Sequence, residues 1–221
     1  MDTYRTEEEQ IEAIKRWWQT NGSNVLIGIG LAIFIVVGWQ FWQDQKRATG
    51  EAASVIYSDL LDAAGLSGKE ASSDGKDNSA TLVTLGEQLK ADHDASEYAV
   101  FASLMLAKHY VNAGDAEKAE SELRWAVDHN ASQGVKLVAQ LRLARVLALK
   151  GQLDDALSLI DSVDAGAQAA AFNEVKGDIY VRQEKFDEAR AAYSKALNSS
   201  DAKAGSKPIV KMKYDNLAVV N

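Results

Sequence analysis

Residues 172–199 read FNEVKGDIYVRQEKFDEARAAYSKALNS, and the placing of small and aromatic residues in this stretch decides the fold. Two helices approach closely only where Ala or Gly removes side-chain bulk, and larger residues then fill the gaps that remain. Here Gly177, Ala189 and Ala196 supply the small positions and Tyr180 and Tyr193 the large ones, with Glu184 at the turn between the two helices. The same six positions recur upstream as Ala144, Leu147, Gly151, Ala156, Ile160 and Val163, 33 residues earlier. They recur again as Ala107, Tyr110, Gly114, Ala119, Leu123 and Ala126, a further 37 residues back. The middle copy is the weakest, with Leu147 in place of the aromatic and Val163 in place of alanine.

This pattern resembles the tetratricopeptide repeat, a helix-turn-helix unit of roughly 34 residues with a small residue and an aromatic in its first helix and small residues in its second. Generic alanine-rich helical hairpins are the alternative. Around the three copies, Ala53, Ile56, Tyr57, Leu60 and Leu61 read as the first helix of a degenerate N-terminal repeat, with Leu82, Leu85 and Leu89 on its partner. Residues 65–79, rich in Gly, Ser, Asp and Lys, read as a solvated, mobile loop between them. At the other end Pro208 suits the first turn of a last helix, whose Ile209, Met212, Leu217 and Val220 are expected to pack onto the final repeat as a cap. The chain has a single proline, and strand-like alternation is scarce, so an all-α fold is expected, a helical solenoid behind an N-terminal membrane helix.

That membrane helix is read from VLIGIGLAIFIVVGW, residues 25–39, extended by Gln40, Phe41 and Trp42 to about 18 residues, near the lower limit for crossing hydrocarbon. Trp17 and Trp18 before the run and Trp39 and Trp42 at its end place indole rings where they favour the two headgroup layers. A buried helix of the soluble body and a cleaved signal peptide are the competing readings. Cleavage fits worst, because Gln43, Asp44, Gln45, Lys46 and Arg47 follow the run where a signal would carry small residues. Gly28 and Ala32 form a small-xxx-small pair that would let another helix come close. Three segments result: an amphipathic N-terminal segment, residues 1–24; the span, residues 25–43; and a soluble domain, residues 44–221.

In the first segment Thr6 and Glu9 form a capping-box pattern, and Ile11, Ile14, Trp17 and Trp18 share one face, as expected of a helix lying on a membrane surface. Glu12 and Arg16 supply a supporting i,i+4 pair. Asn21, Gly22, Ser23 and Asn24 are expected to break the helix before the span. Orientation is poorly fixed by charge, with Arg5, Lys15 and Arg16 before the run against Lys46 and Arg47 after it, a weak lean towards an internal N-terminus.

The formal net charge is −8, and residues 49–221 hold 19 basic against 26 acidic side chains, which disfavours nucleic acid as a partner. Cysteine is absent, so the redox state of the compartment is left open. No two of His93, His109 and His129 stand at helical ligand spacing, and no nucleophilic cysteine or phosphate-binding loop exists. His129 reads as the C-terminal residue of a helix. No catalytic, cofactor or metal site is expected, and the chain reads as a non-enzyme.

Taken with the span, the opening Tyr4, Arg5, Thr6, Glu7, Glu8, Glu9 and Gln10, then Ile14, Lys15, Trp17, Trp18, Asn21 and Gly22, and the ending Gly38, Trp39, Gln40, Phe41 and Trp42, resembles the bacterial family of ancillary Sec translocon subunits. The resemblance implies a cytoplasmic N-terminus, one inner-membrane helix and a periplasmic tetratricopeptide-like domain. It further implies association with the SecYEG channel, partnership with a membrane-anchored periplasmic chaperone related to prolyl isomerases, and help for newly translocated proteins. A second implied role is restraint of an envelope stress response, which would make the domain a tether for a signalling protein.

Stacked helical hairpins present the first helices of their repeats along a concave face. Counting from the repeat positions places Phe101, Leu104 and Lys108, then Leu141, Arg145 and Leu149, then Glu174, Asp178 and Arg182 on that face. An apolar strip with charges at one end would suit an extended or helical segment of a partner. The leucines would equally serve as ordinary core.

Overall fold

Three turns carry the same backbone solution: Gly114, Gly151 and Glu184, the aligned turn positions, all have positive φ, at 78°, 83° and 60°. In each, the next residue donates its N–H to the carbonyl five residues back, from Asp115 to Tyr110, Gln152 to Leu147 and Lys185 to Tyr180, all at 2.9 Å. This is the long bond of a Schellman ending, which needs a left-handed residue after the helix and satisfies one of its orphan carbonyls.

The structure is a computed structural model, described for residues 7–66, 78–129, 131–202 and 205–217. The described residues form α1 (Glu7–Ala63), α2 (Ser79–Asp92), α3 (Glu97–Asn112), α4 (Ala116–Asp128), α5 (Gln133–Leu149), α6 (Leu153–Asp161), α7 (Ala169–Arg182), α8 (Phe186–Asn198) and α9 (Lys207–Asn216), with a short 3₁₀ turn at Gly166–Gln168. No strand occurs among them. Residues 67–77 of the expected 65–79 loop, Thr6 of the expected capping box, and Val220 lie outside the described residues.

By contact, the chain divides into Met1–Glu51 and Ala52–Asn221. The second unit is the three expected hairpins, α3–α4, α5–α6 and α7–α8, preceded by α2 and followed by α9. Local signals start the helices: Ser96 accepts the Tyr98 N–H at the head of α3 at 3.1 Å, and Asp115 accepts that of Lys118 at the head of α4 at 3.0 Å. The small repeat positions Ala107, Ala119, Ala126, Ala144, Ala156, Gly177, Ala189 and Ala196 are all buried. Gly177 is the tightest, because an added Cβ would stand 2.5 Å from Cδ1 of Tyr193. Ahead of the three hairpins, Ala53 and Leu60 of α1 share a core with Leu82, Leu89, Ala99, Ala102 and Leu106, as the degenerate N-terminal repeat requires.

Two expectations need correction. The first concerns α1, which does not break at Asn21–Asn24 but runs unbroken from Glu7 to Ala63. The polar side chains fold back on the helix, Thr20 Oγ1 to the Arg16 carbonyl at 3.1 Å and Asn21 Nδ2 to the Trp17 carbonyl at 3.2 Å, so they do not compete for the next turn. Gly22 lies under the Trp18 ring. The second concerns α9. Pro208 stands in its first turn and Leu217 packs inward as expected, but Ile209 and Met212 are exposed, and their place on the core side is taken by Val210 with Tyr214. Placing 209 and 212 inward sets the first turns of the helix about one residue out of register, a rotation of about 100°.

Candidate partner-binding groove

Helices α3, α5 and α7, the first helices of the three hairpins, line a groove of about 510 Å³. Its floor is made by buried Ala107, Leu123, Val146, Val175 and Ile179, and its walls by exposed Val111 and Leu149. Five of the nine residues expected on this face meet there: Lys108, Arg145, Leu149, Asp178 and Arg182.

The other four do not line it. Leu104 and Leu141 are each only 7% exposed and belong to the main hydrophobic core, so they hold the repeats together. Phe101 is half-buried and packs against Tyr57 of α1, ring centroids 6.0 Å apart. Glu174 accepts a hydrogen bond from Lys213 Nζ at 2.8 Å on the side of α7 facing α9. Arg142 and Val111 were missed by the sequence reading. Arg142 stands one residue beyond Leu141, three before Arg145 and seven before Leu149, the helical spacing that would have found it.

Charge is unevenly distributed around the groove. Asp178 accepts from Lys213 Nζ at 2.8 Å and from the Tyr193 hydroxyl at 2.7 Å, so its charge is already balanced. Burial, then the Asp178 carboxylate, push the Tyr193 hydroxyl well above the usual phenol range. Burial pulls Lys213 down, yet its bonds to Asp178 and Glu174 outweigh that and raise it overall. Arg182 donates to the Ala148 carbonyl at 2.5 Å, setting its charge on the C-terminal end of α5, the negative end of that helix. Lys108, Arg142 and Arg145 are exposed and have no ion-pair partner among the described residues. Although Arg142 reaches solvent, the groove walls remove part of its hydration, and this partial desolvation, then the neighbouring Arg145 charge, lower its guanidinium from the ordinary value.

A second set of polar contacts, also unanticipated, fastens the hairpins and lies away from the groove. Lys90 of α2, Ser103 of α3 and Glu122 of α4 meet in the interior, with Lys90 Nζ 2.8 Å from Glu122 Oε1 and the Ser103 hydroxyl donating to the Glu122 carbonyl at 2.7 Å. His129 caps α4 as expected, its ring stacked on Trp125 at 3.7 Å and its Nδ1 2.8 Å from the Trp125 carbonyl. Among the described residues no three His, Asp or Glu side chains gather in a way that could hold a metal ion.

In the N-terminal unit, Trp17, Trp18, Trp39 and Trp42 are all exposed on α1, with exposed Leu26 to Val37 between them. The helix rises roughly 32 Å from Trp18 to Trp39 at about 1.5 Å per residue, close to the hydrocarbon thickness of a bilayer. Lys46 Nζ lies 3.8 Å from the Trp42 ring centroid. The apolar stretch of α1 is long enough to cross a membrane, and none of it is buried. That fits a membrane-anchored protein.

Repeated hairpins with small residues at fixed positions, together with one long apolar helix, define the class of this chain as a helical-repeat protein. The chain belongs to the tetratricopeptide repeat-like domain family, whose model matches residues 15–219. Its relatives include proteins named ancillary SecYEG translocon subunit. That of Escherichia coli (strain K12) is 28% identical over 99% of this chain and 100% of its own length. Those of Haemophilus influenzae, at 28% over 96% of this chain and 97% of its own, and of Neisseria gonorrhoeae, at 24% over 98% and 100%, are similar throughout as well. No solved structure matches the chain.

Proposed function

We propose that the protein is an accessory subunit of the Sec translocon, anchored by α1 and acting through its helical repeats without catalysis. The observation that carries this is the end-to-end similarity to relatives named for that role, which takes in the span as well as the repeats. In this reading residues 25–43 span the inner membrane, residues 1–24 lie on its cytoplasmic side, and residues 44–221 are periplasmic. The groove at Lys108, Arg145, Leu149, Asp178 and Arg182 holds a segment of a partner, a membrane-anchored periplasmic chaperone related to prolyl isomerases. Tethering beside the channel raises the effective concentration of the domain, so modest groove contacts suffice to keep the partner near emerging chains.

Photocrosslinking in intact membranes tests the proposal, with the photoreactive residue at Ile33 in the span and at Leu149 in the groove. Channel subunits are expected from Ile33, and one periplasmic chaperone from Leu149. Adducts to a single signalling protein, with no channel subunit from either position, would overturn the translocon reading and leave the regulatory tether.

A further inference from the structure

In a chain of net charge −8, the groove gathers Lys108, Arg142 and Arg145 with no anion among the described residues to balance them, while its one acid, Asp178, is occupied by Lys213. Arg142 and Arg145 stand three residues apart on α5, on one face of that helix, where like charges oppose one another and a bound anion relieves the opposition. Beside them Leu149 is 54% exposed and Val111 38% exposed, so apolar wall and cationic rim belong to one groove. A flat anionic membrane surface is best met by cations on a protruding face; here they line a hollow of about 510 Å³, large enough for a side chain and the backbone that carries it.

We infer that this groove takes an acidic segment of a partner protein that presents a leucine-sized apolar side chain, with the apolar group set against Val111 and Leu149 and the carboxylates meeting Arg142, Arg145 and Lys108. The inference rests on the reading of this face as a docking surface. Guanidinium groups suit carboxylates because their planar fork can engage both oxygens, and the shared groove makes apolar and charged contacts depend on one another. Because the cations are exposed, binding should be fast and sensitive to salt.

The test uses the full-length chain in neutral phosphatidylcholine nanodiscs and a labelled twelve-residue peptide carrying two leucines among glutamates, followed by fluorescence anisotropy. Replacing the glutamates by glutamine, replacing the leucines by serine, or introducing R142E with R145E is each expected to weaken binding about tenfold. Equal binding of the glutamine peptide, survival of binding in the double variant, or no binding of the acidic peptide at all would overturn the inference. So would displacement of the peptide from the native chain by phosphatidylglycerol vesicles that bind the native chain but not the double variant, since the groove would then be a lipid site. Channel adducts from Ile33 do not depend on the groove. Their persistence beside a failed peptide experiment would sink this inference alone, whereas their loss beside successful peptide binding would sink the translocon reading alone.

Discussion

The Lys90 ammonium stands 2.8 Å from Oε1 and 2.9 Å from Oε2 of Glu122, in an interior where the two side chains are 12% and 9% exposed. The Ser103 hydroxyl shares its one proton between the Glu122 carbonyl at 2.7 Å and Glu122 Oε2 at 2.9 Å, so the contact joins α2, α3 and α4. Burial pulls the Lys90 pKa down, but the bonds and charges of Glu122 and Glu87 outweigh it and raise it overall. Removing Glu122 leaves the largely buried Lys90 charge with only the half-exposed Glu87, 3.1 Å away, to balance it, a cost of about 3 kcal/mol. Glu122→Ala is expected to lose about that much in urea unfolding of the full-length chain in detergent. Lys90→Met with Glu122→Leu is expected to recover most of the loss, and a double variant as unstable as the single one would show that the pair itself carries net stability.

Glu184 occupies at φ 60° the place that Gly114 and Gly151 fill at φ 78° and 83°. Left-handed backbone costs a side-chain-bearing residue about 1 kcal/mol relative to glycine, part of which glycine returns through its freer unfolded chain. Glu184→Gly is therefore expected to stabilise by about 0.5 kcal/mol, and Gly114→Ala or Gly151→Ala to destabilise by about 1 kcal/mol. Thermal unfolding followed by circular dichroism reads all three, and a destabilised Glu184→Gly would mean that the glutamate side chain makes a contact worth more than the strain.

Gly177 and Tyr193 fill one space together. An added Cβ would lie 2.5 Å from Tyr193 Cδ1, and the tyrosine ring is held in place by the bond from its hydroxyl to Asp178. At the equivalent positions the pairs are Ala107 with Leu123 and Ala144 with Ile160, so the methyl lost from the first helix is matched by the larger residue on the second. Gly177→Ala is expected to destabilise by about 2 kcal/mol through overpacking. Adding Tyr193→Leu should reverse part of that loss despite removing a hydrogen bond, and strictly additive losses would show that the two residues do not share the space.

These pairs explain which parts of the fold were legible in the sequence. Close helix contacts demand small residues whatever the neighbours, so Ala107, Ala144 and Gly177 announced the three hairpins, and the turn geometry announced Gly114 and Gly151. Glu184 was found only by alignment with them, since nothing in a glutamate signals a left-handed backbone. The Lys90–Glu122 contact spans 32 residues and looks in sequence like two ordinary surface charges, so only packing reveals it. The groove was half legible for a related reason. Repeat geometry identified the correct helices, but it could not tell Leu141, facing the core, from Arg142 beside it, because the middle hairpin lacks the aromatic that marks register in the other two.

Glu120 accepts from Lys150 Nζ and from Arg124 Nε, each at 2.7 Å, and so links α4 to the end of α5. The Lys150 bond lowers its pKa from the ordinary 4.5, burial works against it, and Arg124 adds to the lowering. A carboxylate whose folded pKa is depressed adds stability above its unfolded value and loses that contribution as pH falls through the folded value. Glu120→Gln should therefore be less stable than the native chain by about 1 kcal/mol near neutral pH, the size expected of a partly exposed pair. The gap should begin to shrink below pH 4.5 and close once the native glutamate is protonated. Urea unfolding of both chains at several pH values between neutrality and 3 measures it, and a gap that stays constant through the acid range would mean that Glu120 contributes by packing and not by charge.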